Sequence, residues 1–233
     1  MVKLGKAIAF LCLGWLISLP GQAQSGDLDK VIAQLNAAAA KFTSAQADFT
    51  WDIFTAVAED HELQTGTIYF ERKKGNTRMA AQLKLDDGKL APKTILYDHG
   101  DLQLYEPTIK QLTLVKAGAN QSQFESFLTL GFGGSGTDLE NNWKVSLLGA
   151  EQMGGVSVAK LDLVPKEQKV LDMFSHVTIW VDPARGVSYK QIYYQPKDAG
   201  SRTATYQNIR YNVPLPAEVF QIKPAPGTHT VQR

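Results

Sequence analysis

The chain of 233 residues carries 24 Lys and Arg residues against 23 Asp and Glu residues, so its net charge is close to zero. Its longest basic run is Arg72-Lys73-Lys74. Such a chain lacks the cationic surface that nucleic-acid binding requires, and we expect no nucleic-acid partner. The length allows one domain or two small ones and is sufficient for a substantial hydrophobic core.

The first 23 residues have the composition of an export signal. Lys3 and Lys6 precede an apolar run from Ala7 to Leu19, which is too short to anchor the chain stably across a bilayer. Gly21-Gln22-Ala23 then provides the small residues that signal peptidase recognises. We therefore expect a signal peptide over residues 1–23, cleavage after Ala23, and a single domain over residues 24–233 in the periplasm.

The only cysteine, Cys12, lies inside this apolar run behind Phe10 and Leu11. A lipid-attachment site would place small residues directly before the cysteine, so Cys12 is interpreted as part of the signal. The mature chain is then free of disulfides and is expected to be soluble and without a lipid anchor of its own.

An amphipathic helix is predicted at the start of the mature chain. Apolar residues recur at steps of three and four from Leu28 to Phe42, and Asp27 is a suitable N-cap. From about Gln46 the period changes to two, which indicates a half-buried strand that includes Phe49 and Trp51.

Short strands separated by turn sequences then follow one another. Because the connections have hairpin length and offer no crossover helix, we expect antiparallel pairing. The predicted strands are Thr65–Arg72, Thr77–Leu85, Lys93–Tyr97, Leu102–Tyr105, Gln111–Lys116, Trp143–Gly149, Val156–Val164, Phe174–Val181, Val187–Tyr194 and Ala204–Tyr211.

A helical interruption is predicted between the two groups of strands. Phe124, Phe127 and Leu128 indicate a short helix, and residues 137–142 allow another turn of helix. Between them, Gly131 to Gly136 formally satisfy the dinucleotide fingerprint G-x-G-x-x-G. That motif binds nucleotides only inside a βαβ unit, so we interpret it here as a loop or hinge.

No pattern of catalytic or metal-binding residues emerges from the sequence. The four histidines, at positions 61, 99, 176 and 229, are far apart and have no second ligand at metal-binding spacing. The sequence contains neither the G-x-S-x-G motif of serine hydrolases nor the H-E-x-x-H motif of zinc peptidases. We expect no metal, no cofactor and no enzymatic activity.

Apolar and aromatic side chains occupy both faces of several predicted strands, as in Ile68-Tyr69-Phe70 and Ile179-Trp180. One interpretation is a sheet that is covered on both sides. The other is a curved sheet whose concave face is apolar and encloses a ligand beneath helices. The residues alone favour neither.

Several short patterns resemble the LolA family of lipoprotein carriers. Residues 66–72, Gly-Thr-Ile-Tyr-Phe-Glu-Arg, are similar to the family's glycine–aromatic–arginine strand, and residues 96–107 resemble its hairpin that ends in x-Pro. Residues 179–183 and the series Asn208, Asn212, Leu215, Phe220 and Pro226-Gly227 resemble its later strand and its closing pattern. The patterns keep the family's order from about residue 27 to 231. The chain departs from the family at Lys73, where the family often has proline, and around Met79-Ala80, where an aromatic residue is common; the loop of residues 131–136 also has no counterpart in the best-studied carriers.

The resemblance implies a mainly β, α+β fold: an unclosed antiparallel β-barrel whose opening is covered by the N-terminal helix and short central helices. In the family the strand arginine touches this lid and helps to hold the empty cavity shut, and Arg72 is the matching residue. An alternative is that Arg72 is a surface charge beside Lys73 and Lys74. The expected cavity wall comprises Phe49, Trp51, Ile68, Phe70, Leu104 and Trp180, and the expected lid comprises Leu35, Phe124, Phe127 and Leu128.

The implied function is that of a monomeric periplasmic carrier that ferries lipoproteins from the inner to the outer membrane. Its expected partners are the acylated cargo, an inner-membrane lipoprotein-releasing transporter and an outer-membrane acceptor. One alternative is a binding or transport protein for another lipid, such as a phospholipid or a polyprenoid. A further alternative is a sensor that signals through protein contacts, which would usually need an additional domain.

Overall fold

The structure is a computed structural model that describes residues 21–73, 76–116, 118 and 129–232. Its helices are α1 (Gly21–Lys41), α2 (Gly136–Asn142) and α3 (Gln168–Leu171). Its strands are β1 (Ser44–Thr55), β2 (Asp60–Lys73), β3 (Asn76–Asp86), β4 (Lys89–Asp98), β5 (Asp101–Glu106), β6 (Gln111–Lys116), β7 (Trp143–Met153), β8 (Val156–Pro165), β9 (His176–Asp182), β10 (Val187–Tyr194), β11 (Gly200–Tyr211) and β12 (His229–Gln232).

The strands form one 12-stranded sheet in the order β12-β6-β5-β4-β3-β2-β1-β11-β10-β9-β8-β7. Two meanders, β2–β6 and β7–β11, are joined because β1 pairs with both β2 and β11. No pairing between described strands links β12 to β7, so the curved sheet stays open. The predicted fold class, an unclosed antiparallel barrel with an N-terminal helix, is confirmed.

Helix α1 lies against the concave face of the sheet and buries its apolar stripe there. Leu35, which is 2% exposed, packs with Leu161, Leu163 and Ile179 of the second meander. Phe42, just beyond the helix, packs with Phe70 of the first. The helix therefore bridges both halves of the sheet, as an amphipathic element over an apolar surface is expected to do.

The short helix α2 is fixed beside α1 by local capping and by hydrogen bonds from the backbone and the hydroxyl of Thr137 to Asn36. The Ser135 hydroxyl accepts from the backbone N–H of Asp138, and the Asp138 carboxylate accepts in return from the backbone N–H of Ser135, which forms a capping box. The backbone N–H of Thr137 donates to Asn36 Oδ1 of α1 at 2.9 Å. Residues before α2 are consequently held close to α1.

Part of the convex face is covered by the C-terminal segment. Val219 and Phe220 pack with Ala80 and Leu96, and Arg78 lies 4.0 Å from the centre of the Phe220 ring. The apolar outer face of the first meander is therefore buried by the chain itself. Both sequence interpretations hold in part, because the sheet is curved and is also covered locally on its outer side.

Three local predictions differ from the structure. Helix α1 begins at Gly21, ahead of the predicted N-cap Asp27, which instead pairs with Lys30 at 2.9 Å. Strand β12 pairs with β6 in parallel, although only antiparallel pairing was predicted. Strand β9 begins at His176 rather than Phe174, because the preceding residues form α3 and its exit turn. Cleavage after Ala23 and the domain limits that depend on it stay predictions.

Among the described residues, no helix combines the length and the apolar character that crossing a membrane would require.

Candidate functional site

The concave face of the first meander is an apolar surface assembled from neighbouring strands. Cross-strand partners share a face in an antiparallel sheet. Phe70 of β2 pairs with Met79 of β3, which pairs with Tyr97 of β4. These side chains are between 1% and 6% exposed. Arg72 follows Phe70 by two residues and therefore lies on the same face, at the end nearest α1.

A segment that we call the glycine loop, residues Gly131–Gly136, enters this concave face. Phe132 is 1% exposed; its ring stacks on Phe70 with centroids 4.2 Å apart and meets the edge of Tyr206 at 4.8 Å. Phe132 also forms an isolated bridge with Val187 of β10. The loop thus inserts an aromatic side chain into the curved sheet.

The glycines are required because the loop passes very close to its neighbours. Gly133 has a φ of +77°, and a Cβ there would lie 2.4 Å from Cδ1 of Phe42. Gly131 has a φ of +73°, and a Cβ there would lie 2.5 Å from Cβ of Ser188. A side chain at either position would be strained and would collide with packed atoms. The motif therefore serves close packing within an antiparallel frame, in agreement with its interpretation as a loop.

Arg72 connects the glycine loop to α1 and to β2. Its Nη2 donates to the carbonyl of Gly133 at 2.8 Å, and its Nη1 donates to the carbonyl of Ala39, in the last turn of α1, at 3.1 Å. Carbonyls at a helix C-terminus carry partial negative charge, which suits a cation. Burial lowers the pKa of Arg72, and the nearby carboxylate of Asp138 opposes that shift.

A second polar contact holds the residue that precedes the glycine loop. Gln191, which is 2% exposed, donates from Nε2 to the carbonyl of Leu130 at 2.6 Å. Its Oε1 accepts from the Tyr193 hydroxyl at 2.8 Å and from the Tyr206 hydroxyl at 3.3 Å. Burial raises the pKa of Tyr193 and that of Tyr206. These polar groups satisfy one another, so they impose little cost on an otherwise apolar wall.

Two cavities adjoin this cluster. The inner cavity, of about 240 Å³, lies beside Phe132, and its other lining residues include Trp51, Ile68, Phe70, Met79, Ile95, Leu102 and Leu130. The outer cavity, of about 330 Å³, is lined by Trp51, Ile53, Gln64, Phe174, Arg202, Thr203 and Ala204. Trp51, Gln191, Tyr193 and Tyr206 border both cavities and form the wall between them.

The structure brings most of the predicted wall residues together. Ile68, Phe70 and Trp51 line the inner cavity, and Phe49 stacks on Trp51 with ring centroids 4.3 Å apart. Leu104 pairs with Ile95 and so lies on the same face, although it does not line either cavity.

The prediction of Trp180 as a wall residue is wrong, because Trp180 lies on the convex face. Its neighbour Ile179 is the residue that points into the concave core. The Trp180 ring lies 4.9 Å from Lys160 Nζ and 5.0 Å from Lys190 Nζ, and its indole N–H donates to Glu151 at 2.8 Å. Because apolar residues occupy both faces of β9, the sequence did not indicate which one points inward.

The predicted lid residues fall into two groups. Leu35 lies in α1 and packs on the concave face, as described above. Phe124, Phe127 and Leu128 lie outside the described residues.

Sequence reasoning did not assign Phe132, Gln191 or Arg202 to the site. For Phe132, the one available signal was an aromatic residue flanked by glycines.

The described part of the chain contains no group of three or more His, Cys, Asp or Glu side chains that could hold a metal ion. Among the described residues of the inner cavity wall, the contacts are apolar packing and hydrogen bonds between uncharged groups. The geometry is that of an open barrel in which a curved sheet is covered by a helix and a loop.

A family model described as an uncharacterized protein matches residues 93–212, which is about half of the chain, and the chain belongs to that family. A search of the curated proteins found no match.

Two solved proteins share the fold. MucB is 13% identical, with a TM-score of 0.54 over 85% of this chain and 63% of that chain. A second MucB structure, from Pseudomonas aeruginosa in complex with MucA, gives a TM-score of 0.52. The chain therefore spans less than two thirds of the length of MucB. An uncharacterized conserved protein from Thermus thermophilus is 11% identical, with a TM-score of 0.55 over 89% of this chain and 99% of that one.

A LolA superfamily protein from Nitrosomonas europaea is similar at a lower TM-score of 0.41, with 13% identity over 84% of this chain and 97% of that chain. The open barrel, the N-terminal helix over its concave face and the arginine at the end of β2 agree with the resemblance found in the sequence. The chain has the open, helix-covered barrel that its sequence resemblance to LolA carriers implies.

Proposed function

We propose that this protein is a periplasmic carrier that binds the acyl chains of lipoproteins between the concave face and its cover of α1 and the glycine loop. The observation that supports the proposal is the form of this cover. It lies over apolar cavities and is connected to the sheet by a few hydrogen bonds: Arg72 and Gln191 donate to backbone carbonyls, and the backbone of the glycine loop bonds to that of Gly186 and Ser188. Displacing this cover breaks these hydrogen bonds but leaves the pairing between the strands of the sheet in place.

The proposed cargo defines the energetic problem that a carrier solves. Membrane affinity grows by about 0.8 kcal/mol for each buried CH₂ group. A lipoprotein with two or three long chains, or about 40 methylenes, would therefore cost on the order of 30 kcal/mol to expose to water. A soluble carrier has to offer comparable apolar surface and still release the cargo.

The glycine loop supplies part of that reversibility. Phe132 fills space on the concave face between Phe70 and Tyr206, where an acyl chain would find similar apolar contacts. The existing cavities, of about 330 and 240 Å³, are at or below the lower end of the usual range for ligand sites. Cargo with several chains therefore requires Phe132 to leave. The net energy of binding is then a difference between two apolar packings, which keeps release possible.

No catalytic role is proposed for any residue of the chain. In analogy with LolA carriers, the energy for loading would come from an inner-membrane lipoprotein-releasing transporter, and the cargo would pass to an outer-membrane acceptor. The carrier would act as a monomer that holds its cargo during transit.

A second candidate is a carrier for another lipid, such as a phospholipid or a polyprenoid. The outer cavity favours it, because this cavity is already formed with Phe132 in place and has room for one slender chain. MucB, which shares the fold, was solved in complex with MucA, so protein binding is a further use of this architecture.

The test is to purify the protein after export and to identify co-purifying molecules by mass spectrometry. Two matched tryptophan variants provide the control. Trp51→Ala removes a ring that borders both cavities, whereas Trp180→Ala removes a ring from the convex face. We expect Trp51→Ala to lose bound molecules and Trp180→Ala to retain them.

The identity of the bound molecules decides between the candidates. Acylated peptides or intact lipoproteins would support the carrier for lipoproteins, and free phospholipid or polyprenoid would support the second candidate. A wild-type protein that is isolated empty and does not bind an acyl probe would overturn both.

A further inference from the structure

One charged residue, Arg202, stands at the entrance of the outer cavity. Arg202 of β11 pairs with Ile53 of β1 on one side and with Tyr193 of β10 on the other. All three line the outer cavity. Two residues further along β11, Ala204 is buried beside Trp51, so the wall becomes apolar immediately inside Arg202.

The guanidinium of Arg202 is available to a ligand. The residue is exposed, and none of the described carboxylates forms an ion pair with it. The nearest acid of the same row, Glu62, pairs with Ile53 from the opposite side, on β2. Its carboxylate already accepts a hydrogen bond from the amide of Gln64. Arg202 and Glu62 are separated by β1, and the described contacts include no ion pair between them.

The buried polar groups at the inner end of the cavity have partners inside the protein. Gln191 joins the hydroxyls of Tyr193 and Tyr206 and the carbonyl of Leu130. These groups therefore do not require polar atoms from a ligand. Arg202 is the only ionisable Lys, Arg, Asp, Glu or His side chain among the described residues that line this cavity.

We infer that the outer cavity binds an anionic amphiphile, with its carboxylate or phosphate on Arg202 and its hydrocarbon chain directed inward past Trp51. The inference rests on the proposed function, since it assumes that the cavity accepts acyl chains. A guanidinium suits this role because its fork of N–H donors matches the oxygens of either anion. The charged group also stays at the water-exposed entrance, where it is not fully desolvated.

The experiment compares ligands that share one tail. Isothermal titration calorimetry would measure the binding of dodecanoate, dodecyl phosphate and the neutral methyl dodecanoate to the delipidated protein. The variants are Arg202→Gln, which removes the charge, and Arg202→Lys, which keeps a charge without the fork. The matched control is Arg210→Gln, an exposed arginine on the same strand that lines neither cavity.

We expect Arg202→Gln to weaken the binding of the anionic ligands about fivefold, as for a partly exposed ion pair, and to leave the neutral ester unchanged. Arg202→Lys should retain part of the difference, and Arg210→Gln should bind all ligands like the wild type. A preference for dodecanoate over dodecyl phosphate would assign the site to carboxylates, and the reverse would assign it to phosphates.

Two results would overturn the inference in different ways. If the wild type binds all three ligands and Arg202→Gln changes none of the affinities, or lowers all of them equally, Arg202 does not recognise the head group, while the carrier function still stands. If the wild type binds none of the ligands, the proposed acyl-chain cavity itself is wrong.

Discussion

Truncation of Phe132 to alanine tests whether the glycine loop competes with ligand. Phe132 is 1% exposed and contacts the rings of Phe70 and Tyr206. Truncating a buried phenylalanine costs about 3–5 kcal/mol of folding stability, because contacts are lost and a cavity remains. In an ordinary core residue that loss would bring no benefit to binding.

The outcome differs if an acyl chain takes the place of the ring. The substitution then destabilises the covered, empty form, and the ligand fills the space that is left. If about 3 kcal/mol of the loss falls on the empty form alone, the apparent affinity for an acyl ligand rises by up to about a hundredfold. We expect Phe132→Ala to be less stable when empty and to regain most of its stability with ligand.

Urea denaturation with and without dodecanoate, together with calorimetric titration, would measure both effects. Phe220→Ala is the matched control, because Phe220 is also buried but lies on the convex face. It should lose comparable stability without any gain in affinity. A Phe132→Ala variant that behaves like Phe220→Ala would refute the competition between loop and ligand.

Three further predictions concern the cover and its surroundings. Arg72→Leu removes the hydrogen bonds from Arg72 to Ala39 and Gly133, so it should speed proteolysis of the glycine loop and impair cargo transfer with little loss of folding, because the strands remain paired. Lys73→Leu, at a neighbouring exposed position, should leave both unchanged. Gly133→Ala should raise the amide hydrogen-exchange rates of the glycine loop, because the added Cβ would collide with Phe42. Gly155→Ala is the control: Gly155 has a similar φ of +78°, but no atom lies within 4 Å of the added Cβ, so the exchange rates of the glycine loop should not change. Burial raises the pKa of Tyr206, so the unfolded chain loses this hydroxyl proton at a lower pH than the folded protein does. The free energy of unfolding should therefore fall above about pH 10, by about 1.4 kcal/mol per pH unit for this group. Urea denaturation at a series of pH values should show a smaller fall for Tyr206→Phe.

The alternation of apolar residues determined much of the fold before any tertiary information. The change from a period of three or four residues to a period of two, near Gln46, separated α1 from β1. Turn sequences separated most of the later strands within a few residues, because glycine and aspartate permit backbone conformations that strand residues avoid. Strand β12 was not predicted, since four residues with little apolar character carry no periodic signal.

The order of the sheet was beyond the reach of local patterns. The pairing of β1 with β11, which joins the two meanders, links residues such as Phe49 and Tyr206 that are far apart in sequence. Contacts of that kind depend on how the whole sheet curves and on which surfaces α1 can cover. The family resemblance implied an unclosed barrel, but neither it nor periodicity specified this pairing.

The candidate site was likewise indicated in part by the sequence and decided in part only by the tertiary structure. The sequence by itself indicated an arginine at the end of an aromatic strand and apolar residues on β1 and β2, and these are local properties of the chain. It did not distinguish Ile179 from Trp180, because both faces of β9 are apolar and only the curvature of the sheet decides which residue points inward. Tertiary structure also decided the roles of Phe132 and Arg202. A loop enters a concave surface, and a charge marks a cavity entrance, only after strands distant in sequence have come together.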